Sequence, residues 1–375
     1  MTFPLVVAGA LTLLTLLPSV VVGLLRLFRR RPQRRFWRNV FGSHLVLFLL
    51  HLFVTFPLLL GWFGSRWLGT RGDERLYAGP RIAADGSWLL QDRRTLAAEA
   101  RGARTEDPGV LRAAEERSVA IPGAGVSLRA FRVAAPQSPP RAVVLLVHGL
   151  FRCAVEVEQP AAMFRRLGCE VWLLEQRNHG GSGRYPATFG LRESEDLVAT
   201  AEFIREQPEL ADVPLFLFGV SLGSVSVMLA LPDLPSVQGV VLDAPVSDML
   251  GTAQRMLGLR RPGDPRGRFT VAEPWRSLAL TSLQLWSGFA LRDVRPDLAL
   301  QGMPADFPVL LVAGSEDDKV PLDRVSEFYD SLPMLPGVKQ FWAAEGCGHG
   351  DAWQRLSGAY EERLRDFLQL ALAVQ

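Results

Sequence analysis

The chain has 375 residues, about two and a half times a ~150-residue domain, so it holds one large domain and something more. Its 41 basic residues nearly balance 39 acidic ones, which argues against a general polyanion binder. An apolar content of 48% excludes a mainly disordered chain and points to a membrane contribution.

Charge is absent from most of the first seventy residues and concentrated in one place. No acidic residue precedes Asp73, while Arg26, Arg29, Arg30, Arg31, Arg34, Arg35 and Arg38 crowd a short stretch. On either side lie two segments free of formal charge, Phe3 to Leu25 and Val40 to Phe63. Each exceeds the ~20 helical residues that cross a ~30 Å hydrocarbon layer, so residues 1–68 are expected to form a transmembrane helical hairpin. Pro4, Pro18 and Pro57 are tolerated in such helices, and Phe36, Trp37, Trp62, Phe63 and Trp67 sit where aromatic rings favour headgroups. A cleaved signal peptide would need its positive charge before the apolar run, and none is there. The positive-inside rule keeps the arginine loop cytoplasmic and both termini on the other face, the periplasm for a bacterial inner membrane. Pinned between two apolar spans, the arginines make a poor nucleic-acid patch, and no nucleic-acid partner is expected.

Residues 69–117 read as a linker, with a short helix expected within Leu96 to Glu116. From residue 118 to 375, short apolar runs alternate with helical stretches, the pattern of a mostly parallel, doubly wound α/β sheet. A strand pair is expected at Ser118 to Ile121 and Ser127 to Val133. Parallel strands follow at Ala142 to Val147, Glu170 to Leu174, Pro214 to Phe218, Val237 to Leu242, Val309 to Val312 and Lys339 to Ala343. That makes eight strands. Helices are expected around Val155 to Leu167, Glu193 to Gln207, Leu222 to Leu231, Leu322 to Ser331 and Asp351 to Ala373. An insertion at about 246–304 breaks the rhythm with Trp275, Leu283, Leu285, Trp286 and Phe289, and is expected to be a helical cap over a substrate pocket.

The chemistry centres on Gly219-Val220-Ser221-Leu222-Gly223, a G-x-S-x-G pentapeptide between an expected strand and an expected helix. Such a turn needs small residues on both sides so that a strained serine projects its hydroxyl above the sheet. A serine hydroxyl is a poor nucleophile at neutral pH, so a histidine must take its proton and an acid must orient that histidine. Of five histidines, His44 and His51 fall in the hairpin and His148 and His179 read as structural. His349, in a glycine-rich loop between the last strand and the last helix, is the expected base. Asp317, after the strand Val309 to Val312, is the expected acid, with Asp318 and Glu316 as adjacent competitors and Asp243 as a more distant one.

In the order Ser221, Asp317, His349 the chain resembles the α/β-hydrolase superfamily over about 255 residues. Val144-Leu145-Leu146-Val147-His148-Gly149 resembles the strand and His-Gly of that superfamily, and Gly314-x-x-Asp317-x-x-Val320-Pro321 its acid-bearing loop. The resemblance implies an oxyanion hole from the backbone N–H of Leu222 and of Leu150, with Phe151 as the fallback. Glu175-Gln176-Arg177-Asn178-His179-Gly180-Gly181-Ser182 departs from the family's Asp-x-Arg-Gly-x-Gly-x-Ser in carrying Glu for Asp and Asn for the first Gly. Leu150, Phe151 and Arg152 are bulky and would narrow or line the acyl side of a pocket.

The expected function is a membrane-anchored serine hydrolase, esterase- or lipase-like, cleaving a carboxylic ester, thioester or amide through an acyl-enzyme. Its partners would be a small acyl substrate, lipid included, and the bilayer. No cofactor and no metal are implied, and the three cysteines Cys153, Cys169 and Cys347 lack the paired spacing of a zinc site. An acyltransferase using the same three residues, or a catalytically silent binding protein, are the alternatives.

Overall fold

A computed structural model describes residues 3–29, 34–68, 81–82, 88–89, 109–121, 125–256 and 274–374. The chain divides into two compact units. Met1–Leu68 and Ala253–Leu291 form a helical unit; Gly69–Thr252 and Arg292–Gln375 form a unit built on a sheet.

In the sheet unit, two short strands, β1 (Arg81–Ile82) and β2 (Trp88–Leu89), pair antiparallel within the expected linker. The linker helix expected within Leu96 to Glu116 falls largely outside the described residues; the described part has one 3-10 turn, Leu111–Ala113. The main sheet has eight strands: β3 (Glu115–Ile121), β4 (Val126–Val133), β5 (Val143–Val147), β6 (Glu170–Glu175), β7 (Leu215–Val220), β8 (Val237–Asp243), β9 (Val309–Gly314) and β10 (Lys339–Ala344). Their order is β10-β9-β8-β7-β5-β6-β4-β3, and only the β3–β4 and β4–β6 pairs are antiparallel. The first strand begins three residues before the expected Ser118, because Glu115 and Glu116 continue the ladder opposite Arg132 and Phe131.

β5, β6 and β7 are buried along their whole length, as central strands covered on both faces must be. Phe164, Phe216, Phe218, Trp353, Tyr360 and Phe367 pack edge-to-face within the hydrophobic core that covers these strands. The helices fall at Glu158–Arg166, Glu193–Arg205, Leu222–Ala230 and Leu322–Ser331, and the expected last helix is broken into Ala352–Arg355 and Ser357–Ala373. Cys153, Cys169 and Cys347 are free and buried.

The helical unit contains two N-terminal helices long and apolar enough to cross a membrane, with spans at Ala8–Phe28 and Arg34–Arg66. They pack on each other: His44 Nε2 lies 3.2 Å from the Thr15 carbonyl, and the Arg26 guanidinium covers the Phe36 ring at 4.8 Å. The second helix carries a π-helical turn at His51–Thr55, just before Pro57. Proline offers no N–H to the preceding turn, and the wider turn lets the Phe56 N–H reach the His51 carbonyl instead. Of the insertion expected at about 246–304, Ala253–Leu291 belongs to this unit, while Thr252 and Arg292 lie in the sheet unit.

Candidate active site

β7 delivers Ser221 at its carboxyl end, and the helix Leu222–Ala230 starts at the next residue. The turn is sharp enough to hold Ser221 at φ +55° and ψ −117°, a conformation costing a non-glycine residue roughly 1–3 kcal/mol. The surroundings fix it there. Ser221 N–H donates to the Asp243 carbonyl at 2.9 Å, and both flanking glycines are tightly enclosed. A Cβ on Gly219 would come within 2.5 Å of the Gly223 carbonyl oxygen, and one on Gly223 within 2.5 Å of the Val147 carbonyl oxygen.

His349 reaches the serine from the loop between β10 and Ala352–Arg355. Its Nδ1 lies 2.7 Å from Asp317 Oδ2 and its Nε2 lies 2.8 Å from Ser221 Oγ. An ionised carboxylate only accepts, so Nδ1 carries the proton and Nε2 is left to accept from the serine hydroxyl. Asp317 is buried, and its other oxygen accepts the N–H groups of Lys319 at 2.8 Å and Val320 at 2.9 Å. Burial pushes the Asp317 carboxyl up, but His349 and the two backbone donors outweigh it and hold the group below the usual carboxylate range.

The acid loop and the histidine loop are zipped together. Glu316 N–H donates to the Cys347 carbonyl at 2.8 Å, Gly346 N–H to Ser315 Oγ at 2.8 Å, and Gly348 N–H to Asp351 Oδ1 at 2.7 Å. A Cβ on Gly314 would lie 2.4 Å from the carbonyl oxygens of Cys347 and Gly348, so the loops meet backbone to backbone. Asp243, the distant competitor for the acid, accepts the buried Tyr360 hydroxyl at 2.8 Å.

The residues after β5 lie against the serine: a Cβ on Gly149 would sit 3.4 Å from Ser221 Cβ. Their backbone donors are almost all assigned. Gly149 N–H donates to Glu156 Oε2 at 2.6 Å, Phe151 N–H to His179 Nε2 at 2.9 Å, Arg152 N–H to the Gly149 carbonyl at 3.2 Å, and Ala154 N–H to Glu175 Oε1 at 3.3 Å. The Phe151 N–H, the fallback oxyanion donor, is therefore spent on His179. Leu150 N–H has no such acceptor among the described residues, and Leu222 N–H, at the first position of a helix, has no intrahelical one. Arg152 turns to Glu156 at 3.6 Å, and Phe151 is buried beside the His179 ring.

His148 and His179 are both buried, with ring centroids 4.9 Å apart. His148 donates from Nδ1 to the Gly149 carbonyl at 2.8 Å and accepts the Gln176 N–H at 3.2 Å; His179 donates from Nδ1 to the Arg177 carbonyl at 2.8 Å and accepts from Phe151. Each is a fully used neutral imidazole. Burial lowers both pKa values, and for His179 burial together with the neighbouring His148 brings it down to about 4.

The loop that departs from the family pattern has a physical reason for each departure. Asn178 stands at φ +63°, and asparagine tolerates the left-handed region better than other side chains. The longer Glu175 side chain accepts Arg129 Nε at 2.7 Å, Gly181 N–H at 2.7 Å and Ala154 N–H, which ties β4 and both loops to one carboxylate. The sequence itself carries no signal for the parts that Glu156, Asp351 and His179 play in these loops. A carboxylate in a helix-like stretch or loop carries no periodic signal, and only spacing from Gly149 or His349 could have singled these out.

The fold is that of the α/β hydrolases, and in it Ser221, His349 and Asp317 stand as a hydrogen-bonded series. The model of the family described as serine aminopeptidase, S33 (Hydrolase_4), matches residues 138–264, which include Ser221 and the two loops beside it but not Asp317 or His349. Among solved structures, the Pyrococcus furiosus esterase Pf2001 is similar with a TM-score of 0.54 at 18% identity, over 71% of this chain and 96% of that one. Est1E from Butyrivibrio proteoclasticus, solved with ferulic acid bound, is similar with a TM-score of 0.52 at 16% identity, over 68% and 99%. The uncharacterized protein YqkD of Bacillus subtilis (strain 168) is 23% identical over 257 residues, 68% of this chain and 79% of its own.

Proposed function

We propose that the chain is a membrane-anchored serine hydrolase that cleaves carboxylic esters, with thioesters and amides within reach of the same chemistry, through an acyl-enzyme. The observation that carries this reading is the continuous path from Ser221 Oγ through the His349 imidazole to the Asp317 carboxylate. Ser221 Oγ attacks the substrate carbonyl while its proton passes to His349 Nε2. The resulting imidazolium is stabilised by Asp317, which stays ionised because its second oxygen is held by two backbone donors. The negative charge on the former carbonyl oxygen falls to the N–H groups of Leu222 and Leu150, each worth up to about 3–4 kcal/mol of barrier. Collapse expels the alcohol, which takes the proton from His349; water then repeats the sequence and releases the acid.

The two apolar N-terminal helices support attachment to a bilayer, with the arginine-rich connection on the cytoplasmic face and the hydrolase unit on the other. The relatives named esterases favour an ester over a peptide bond as the scissile group. A p-nitrophenyl ester series with the full chain in vesicles tests the reading: a burst of p-nitrophenol equal to the enzyme present, with an acyl mass adduct, is expected. Turnover of no ester, with no adduct, would remove it. A reporter active only outside the cytoplasm, fused after Gln375, should be active; silence would reverse the orientation.

A further inference from the structure

Exposed apolar side chains are distributed unevenly between the two units. Among the described residues, every large apolar side chain that is exposed lies in the helical unit except Leu191, Leu298, Leu335 and Val374. The helix Trp275–Ser287 belongs to this pattern although it comes from the middle of the hydrolase sequence. Leu278, Leu285 and Trp286 are exposed on it, Leu285 by 73%.

Its other face is docked. Ala279, Ser282 and Leu283 are buried, and a Cβ on Gly61 would come 2.3 Å from Ser282 Oγ and 2.5 Å from the Leu283 nitrogen. Leu283 also packs on Gly64, Ser282 Oγ donates to the Leu58 carbonyl at 3.3 Å, and Trp275 stacks on Phe53 with ring centroids 5.7 Å apart. These four partners all lie on the second N-terminal helix, toward the end remote from Arg34, Arg35 and Arg38. Close approach over glycine and serine is how helices associate where lipid, not water, is the solvent.

Depth follows from length. About 20 residues counted from Val40 use up a ~30 Å hydrocarbon layer near Leu59, so the docked stretch straddles the boundary where the helix leaves it. Trp275–Ser287 is itself about 20 Å long, too short to cross. Its Trp275 end stacks on Phe53, short of Leu59, and Leu283 packs on Gly64, beyond it, so the helix spans the same boundary with Leu285 and Trp286 toward its outer end. A boundary position fits both its length and its contacts.

We propose that Trp275–Ser287 is a third, interfacial helix of the membrane anchor, whose outward face of Leu278, Leu285 and Trp286 binds the headgroup–acyl boundary of the bilayer. The proposal rests on the membrane reading of the two N-terminal helices. Its consequence is that the segment following β8, whose Asp243 carbonyl holds Ser221 N–H, is tied to lipid by its own insertion and not only through the chain terminus.

The test uses the full chain in phosphatidylcholine vesicles with an environment-sensitive fluorophore on single introduced cysteines, since the native cysteines are buried. Leu285→Cys reports the insertion, Phe63→Cys the hairpin and Leu335→Cys the hydrolase surface. Nitroxide lipids spin-labelled near the headgroup should quench the probes at 63 and 285 by about twofold or more, and leave that at 335 unchanged. Quenching at 63 with none at 285 would overturn the proposal and leave the hairpin standing; quenching at neither would overturn both.

Discussion

Glycine serves opposite ends in the two units. In the sheet unit, Gly219, Gly223 and Gly314 let backbone pass within contact of backbone, and what is gained is the placement of one hydroxyl and one imidazole. In the helical unit, Gly61 and Gly64 let one helix sit on another, and what is gained is a shared surface turned outward and lined with Leu and Trp. The sheet unit spends four of its buried carboxylates, Glu156, Glu175, Asp317 and Asp351, on backbone donors near the serine. No described carboxylate lies on the two N-terminal helices or on Trp275–Ser287. One unit is built to fix polar groups, the other to present apolar ones.

That contrast can be broken at several points. Ser221→Ala should lower kcat by about 10⁴-fold or more while urea unfolding shifts by less than about 1 kcal/mol; comparable loss at a different serine would relocate the chemistry. Next in size, Gly223→Val should lower unfolding free energy by more than about 3 kcal/mol, because its new atoms meet the fixed carbonyls of Val147 and His148. Gly61→Leu, with an equally close clash, should leave turnover of a soluble ester within about threefold while abolishing lipid quenching at position 285. Loss of both readouts together would mean that the units fold as one.

A smaller effect is expected from His179→Ala, which leaves the buried Phe151 N–H without its acceptor. Since such an orphan costs about 1–3 kcal/mol, kcat should fall about 10- to 100-fold with KM little changed, the signature of a misplaced oxyanion loop. A change confined to KM would assign His179 to substrate binding.

The smallest concerns pH. His179 holds its proton only near pH 4 in the folded chain but near 6.5 when unfolded, so between these values the unfolded chain binds more protons. Unfolding free energy should therefore fall as pH drops from about 6.5 to about 4, and the slope should be shallower in His179→Gln. Asp317 works in the same direction at lower pH: its contribution is complete above the ordinary carboxylate range and disappears as pH falls through its depressed folded value. An unchanged slope in His179→Gln would mean that the imidazole is not buried in its neutral form.

The main sheet was legible because each central strand is an uninterrupted apolar run bounded by turn residues; its eight strands fall at the expected places, with β3 starting three residues early, while β1 and β2 lie in a stretch that reads as linker. The turn that carries Ser221 was legible from its glycines between a strand and a helix, and the loops of Asp317 and His349 from their place after the last two strands; that Asp317 and not its neighbours meets His349 is set by the loop's tertiary contacts. What could not be read was second-order: that Glu156, Glu175 and His179 hold the loop beside the serine, because a side chain's acceptor is set by tertiary contact. The docking of Ser282 and Leu283 on Gly61 and Gly64 was hidden for the same reason, the partners being more than two hundred residues apart.

The most direct test of the central claim is covalent. A fluorophosphonate probe should label the full chain at one site, mapped by mass spectrometry to the peptide bearing Ser221, with labelling lost in Ser221→Ala and slowed in His349→Ala. Equal labelling of wild type and Ser221→Ala, or an adduct mapped to any other residue, would contradict the account.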